Sequence, residues 1–360
     1  MSSDRADPVV LALRDVTALL RFSLPQWEAL VRQARRTNLL PRVALTLDEL
    51  GLLPQVPPAP RAHMEAARTL ARAQADAVRR EVAFIDRALT GGGVPIVLLK
   101  GAAYLAAGLS AARGRLFSDI DILVPRGALP DVEAALMLHG WATSKTTAYD
   151  QRYYRRWMHE LPPLRHISRQ TTLDVHHAIL PITARLKPDS AKLLAASRPL
   201  AGEPRLRVLA PVDMVLHSAA HLFCNEDVGN SLRDLVDLNS LLREFASEEN
   251  FWPRLTVRAA ELDLTRPLYY ALRYAVRLLD TPVPARVLGA AEIGRPPPLL
   301  RGVMDALFLR TLQPDRASDG LASLARGSLY VRAHWLRMPP LLLAQHLTIK
   351  ALRREEQKAG

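Results

Sequence analysis

Two aspartates one residue apart lie inside an otherwise apolar run, Leu116-Phe117-Ser118-Asp119-Ile120-Asp121-Ile122-Leu123-Val124. On a strand, side chains alternate between faces. Asp119 and Asp121 therefore share one face, and Ile120, Ile122 and Val124 take the other. Two carboxylates side by side repel each other. A solvated strand edge tolerates that pair, but apolar flanks predict a central strand, where two acids need a cation between them. Oxygen-only ligands suit Mg2+ or Mn2+.

The segment just upstream reads as a strand, Ile96 to Leu99, running through Lys100-Gly101 into a small-residue helix from Ala102 to Leu109. Backbone N–H groups at a helix start attract anions, and glycine permits close approach. Lys100 and Gly101 are thus candidates for phosphate binding; the plainer reading is a tight turn with a solvated lysine. Arg113 and Arg115 lie in the turn before the aspartates and could meet phosphate or pair with the acids.

A third carboxylate comes from Thr171-Thr172-Leu173-Asp174-Val175-His176-His177. Alternation puts Leu173 and Val175 on one face, and Thr172, Asp174 and His176 on the other. Paired beside the first strand, Asp174 would complete a cluster with Asp119 and Asp121, with His176 on the same face as a residue that orients a carboxylate or an acceptor.

The order strand, glycine at a helix start, D-x-D strand and a lone Asp on a later strand resembles the DNA polymerase β-like nucleotidyltransferase superfamily. The wording L-L-K-G-A-A-Y-L, R-x-x-S-D-I-D-I-L-V, L-D-V-H-H and R-D-L-V-D-L is similar to a bacterial branch of poorly characterised nucleotidyltransferase family proteins. The match runs from about Val94 to His177, and more loosely to about Leu242. The resemblance implies an α+β fold: a small mixed β-sheet core flanked by N-terminal helices and a larger C-terminal helical region. It implies transfer of a nucleoside monophosphate from a nucleoside triphosphate, ATP among them, to an acceptor hydroxyl or phosphate, with Mg2+ or Mn2+. Asp119, Asp121 and Asp174 would be the metal ligands and catalytic residues, and Lys100, Gly101 and Arg115 would bind phosphate, Arg115 holding the basic position ahead of S-D-I-D. Arg233 and Asp237 of R-D-L-V-D-L would stand behind them, unless they merely pair four apart along a helix. Active members of the superfamily usually carry Gly-Ser at the helix start, whereas this chain has Lys100-Gly101-Ala102. That departure keeps open a catalytically inactive relative that binds nucleotide or a protein partner.

Composition narrows the setting. The 360 residues carry a net charge of +12, which permits nucleotide, nucleic-acid or anionic-membrane partners. The excess is mostly arginine spread along helices, and a dedicated nucleic-acid surface is not indicated. The single cysteine, Cys224, excludes an internal disulfide framework and reads as a core residue. No leader-like segment and no apolar run of spanning length stands out, so a cytoplasmic location is expected.

Three regions are expected: N-terminal helices over 1–93, the core over 94–180, and helices over 181–360 broken by a short strand or turn near Leu206 to Ala210. Arg61 to Leu89 has the apolar spacing of one long helix, and Pro54 to Pro60 reads as a linker. Thr143 to Arg169 suits two sheet strands, its tyrosines and arginines either surface residues or a grip on a base or acceptor. His217 and His221, four apart, suit either a metal or two buried histidines. A phosphohydrolase using them with His176 is a weaker alternative. From Arg326 to Arg354 the chain is basic without acids, which would allow peripheral membrane contact but suits a packed helix better.

Overall fold

The computed structural model describes residues 7–339 and 343, apart from 144–146, 227 and 315–319. Its centre is a seven-stranded mixed sheet. The strands are β1 (Ile96–Leu99), β2 (Ile120–Leu123), β3 (Trp141–Thr143), β4 (Leu164–His166), β5 (Thr172–His176), β6 (Arg198–Leu200) and β7 (Glu203–Val208). Their order is β3-β4-β5-β2-β1-β7-β6, so the aspartate strand β2 is the middle one. It runs antiparallel to β1 and parallel to β5, with Asp121 level with Asp174. This is the α+β architecture that the sequence implies.

The aliphatic residues of β1 and β2 explain that placement. Every residue of both strands is buried. Each buried Leu, Ile or Val stabilises the fold by roughly 1.5–3 kcal/mol. The long helix is Pro58–Ala88, and it buries Met64, Ala71, Val78, Val82 and Ile85 along one stripe. Its first turn takes in Pro58 and Pro60 of the stretch expected to form a linker, because proline at a helix start forfeits no intrahelical bond. Pro57 is its N-cap, and Pro54 lies in a short 3-10 turn, Leu53–Gln55.

Two segments differ from the sequence reading. Thr143 to Arg169 contains one helix, Ala148–Trp157, and one short strand, β4, instead of two strands. Tyr149, Tyr153 and Trp157 recur every four residues, a helical period. Tyr149 and Tyr153 stack with centroids 6.2 Å apart, and Trp157 meets Tyr153 edge-on at 6.0 Å. Thr147 caps the helix through a bond from Asp150 N to Thr147 Oγ1 at 3.1 Å. β4 lies antiparallel beside the Asp174 strand β5.

Beyond residue 180, β6 and β7 form a hairpin in a stretch read as helical up to Leu206. Its turn holds Gly202 at φ +79°, a left-handed conformation that favours glycine. β7 runs parallel to β1 and extends the sheet. The hydrophobic core then runs unbroken from Val9 to Leu329.

Helices Pro211–Cys224 and Ser231–Phe245 are buried on nearly every face, pack on each other and line the same cavity as the aspartates. Of the basic C-terminal stretch, Arg332 donates to the Phe223 carbonyl at 2.7 Å and Arg337 to Glu226 at 2.7 Å. Both turn toward the protein; residues 344–354 of that stretch lie outside the described residues. No helix among the described residues is long and apolar enough to cross a membrane.

Candidate active site

The end of β1 aims the first functional side chain. Lys100 has φ +45°, a left-handed conformation that costs a non-glycine residue about 1–2 kcal/mol. The turn points its ammonium at the middle strand, where Lys100 Nζ donates to Asp121 Oδ1 at 2.8 Å. His176 Nε2 meets the same oxygen at 2.9 Å. Burial opposes ionisation of Asp121, but Lys100 and the His176 hydrogen bond outweigh it and hold the carboxyl well below the usual range. Burial likewise opposes charge on Lys100, and Asp121 reverses that effect and raises it.

Asp119, Asp121 and Asp174 converge, as the alternation required: one oxygen from each lies within 4.8 Å of the others. Asp119 is half-buried, and Ser118 Oγ donates to it at 2.7 Å. Asp174 differs, because its Oδ1 is buried with no hydrogen-bond partner. Burial, followed by the neighbouring charges of Asp121 and Glu160, pushes its carboxyl up to about 7. An orphaned carboxylate oxygen beside two further acids fits a hard divalent cation, which would satisfy it and lower its affinity for a proton.

Arg115 and Gly101 fit one another. A Cβ on Gly101 would strike the Arg115 guanidinium, lying 2.8 Å from its Cζ. Glycine is therefore required here by an arginine, whatever its role toward a ligand. Arg115 Nε donates to Asp237 Oδ2 at 2.8 Å, and Arg42 donates to the other oxygen at 3.1 Å. Pairing of Arg233 with Asp237 along the helix does not occur: Arg233 bonds the adjacent Asp234 at 2.9 Å and 2.7 Å. Asp237 is drawn instead across the fold to two buried arginines.

His217 and His221 do not form a metal pair with a third donor among the described residues. His221 Nδ1 lies 3.6 Å from Asp234 Oδ2, and His217 is buried and, chiefly by burial, held well below its ordinary pKa. Cys224 is buried and burial raises its thiol, as a core cysteine's would be.

A cavity of about 460 Å³ gathers these groups. Lys100, Gly101, Arg115, Asp119, Asp121, Asp174, His176, Arg233 and Asp237 all line it. The sequence reading did not single out Tyr104, His159, Glu160, Ser218, Glu226 or Arg337, which line it too. Ser218 was detectable as a polar residue inside an apolar helix; Glu160 carried no local signal. Eight carboxylates face four lysine or arginine side chains across the cavity wall. Such a wall repels a polyanion until cations enter.

The mixed sheet, with Asp121 and Asp174 on the parallel strands β2 and β5 and Asp119 immediately before β2, fits a nucleotidyltransferase architecture. A family model described as an uncharacterised nucleotidyltransferase matches residues 23–280, and the chain belongs to that family. No curated protein and no solved structure matches it.

Proposed function

We propose that the cavity moves a nucleoside monophosphate from a nucleoside triphosphate to an acceptor hydroxyl or phosphate and releases pyrophosphate. The observation that carries this reading is the convergence of Asp119, Asp121 and Asp174 around an oxygen that no protein group satisfies. Mg2+ or Mn2+ bound there would neutralise phosphate oxygens and polarise the α-phosphate.

The chain's own groups have separable tasks. Lys100 and Arg115 line the cavity with Gly101 and bring positive charge to the triphosphate. Asp174 is the acid poised to accept the proton of the attacking hydroxyl. The acceptor oxygen bonds the α-phosphorus, the bond from that phosphorus to the bridging oxygen breaks, and pyrophosphate leaves with the electron pair. Tyr153 and Tyr154 line the cavity, and aromatic rings there are suited to a base or a flat acceptor. His176 fixes Asp121, and Asp237 fixes Arg115.

A second reading, a nucleotide-binding relative without turnover, is favoured by Ala102 in place of the usual serine and by the two cationic or hydrogen-bonding groups already on Asp121. The test incubates the protein with each α-phosphorus-labelled nucleoside triphosphate, Mg2+ or Mn2+ and a fractionated acceptor pool. An Asp119→Ala/Asp121→Ala protein is the control. Label transferred by the wild type alone supports the enzyme; binding without transfer supports the relative.

A further inference from the structure

The cavity contains a second convergence of donors, separated from the three aspartates by the His176 ring. His159 and Glu160 follow the helix Ala148–Trp157, and Glu160 forms an isolated antiparallel bridge with His176. One ligand atom from each of His159, Glu160 and His176 lies within 4.8 Å of the others. Glu160 Oε2 is 3.3 Å from His176 Nδ1 and 3.8 Å from His159 Nε2. Donors on a tetrahedral ion with bonds of about 2.0–2.1 Å stand about 3.3 Å apart. The two rings are tilted 38° with centroids 5.2 Å apart.

Protein hydrogen bonding does not account for this arrangement. Nδ1 of His176, the atom that faces Glu160, is buried without a hydrogen-bond partner. His176 is only 3% exposed. Its Nε2 meets a carboxylate oxygen of Asp121, which places the proton on Nε2. Nδ1 and the Glu160 carboxylate then face each other at 3.3 Å without hydrogen-bond geometry, a contact that a cation between them would satisfy.

We infer that His159, Glu160 and His176 form a binding site for a transition-metal dication of the Zn2+ type, distinct from the all-oxygen aspartate site. Two imidazoles and one carboxylate suit Zn2+ or Co2+ better than Mg2+. All three residues line the cavity, which provides an entry route and room for a fourth ligand such as water. The ion would lock the His176 ring with Nε2–H on Asp121, so one metal site would orient a ligand of the other. Nothing in this inference requires nucleotide transfer.

Co2+ is the probe, because its visible absorption reports coordination directly. Full-length protein stripped of metal is titrated with Co2+ in the presence of excess Mg2+, alongside Glu160→Gln, His159→Gln and Asp119→Ala proteins, with thermal melts to verify folding. The expected result is one Co2+ with intense tetrahedral or five-coordinate bands, displaced by Zn2+ and not by Mg2+. Glu160→Gln and His159→Gln weaken it at least tenfold, and Asp119→Ala leaves it unchanged. Absence of Co2+ bands overturns the inference. So does binding that is lost in Asp119→Ala and kept in Glu160→Gln, which would assign the ion to the aspartates alone.

Discussion

Lys100 Nζ and His176 Nε2 converge on a single oxygen, Asp121 Oδ1, at 2.8 Å and 2.9 Å. The middle aspartate thus has a structural duty beside its proposed catalytic one. It is the counter-ion of a half-buried lysine, while Asp119 two residues away forms no close ion pair among the described residues. Identical substitutions at the two acids should therefore have different consequences.

Asp119→Ala should lower nucleotide transfer by about a thousandfold or more, the scale of losing a key electrostatic group, with little change in melting temperature. Asp121→Ala should lose activity and also about 3–5 kcal/mol of stability, the usual cost of breaking a buried ion pair. Transfer assays beside thermal melts check this. Equal melting temperatures for the two proteins would show that Asp121 is not the electrostatic anchor of this pocket.

Lys100 competes with a cation for Asp121 and, in the proposed reaction, serves the triphosphate. Lys100→Met should strengthen Mn2+ binding in the absence of nucleotide, read by electron paramagnetic resonance. It should weaken nucleotide binding at least tenfold, about 1.4 kcal/mol. Weaker Mn2+ binding in the variant would contradict the competition.

Gly101→Ala adds one methyl group against the Arg115 guanidinium. Arg115 is hemmed in by Asp237, to which it is bonded at 2.8 Å, so it cannot yield freely. The expected cost is about 1–3 kcal/mol of stability, the penalty of disturbing a buried hydrogen-bonded charge. Nucleotide affinity should fall as well, measured by calorimetry at a temperature where the variant is folded.

Asp174 supplies a pH dependence. Its carboxyl rises from 3.8 to about 7 on folding. Because the folded value lies above the unfolded one, its stabilising contribution is fully present below pH 3.8 and is lost as pH rises through about 7. In metal-free protein, Asp174→Asn should therefore gain stability relative to wild type between about pH 4 and pH 7. Paired melts across that range give the difference. Addition of Mn2+ to wild type near pH 6 should release protons, since the ion and the proton claim the same carboxylate.

The acidic cluster was legible in the sequence because a strand fixes side-chain direction every two residues. Alternation alone put Asp119 with Asp121, and Asp174 with His176. It also marked β2 as central through its apolar flanks. What escaped was long-range or depended on a misjudged period. Glu160 joins the site only because it bridges β5 across the fold. Arg115 and Asp237 are 122 positions apart, and no local pattern announces their bond. Tyr149, Tyr153 and Trp157 were legible in principle, but the intervening arginines obscured a spacing of four.

Asp237 accepts from Arg115 beside the cavity and from Arg42 near the beginning of the chain. Arg42 also donates to the carbonyl of Ala111 in the segment leading to the aspartate strand. Trimming the protein back to the long helix would strip one arginine from a buried carboxylate that serves two. The smallest working unit is therefore larger than the sheet that bears the acids, and its front helices belong to the machinery they appear only to precede.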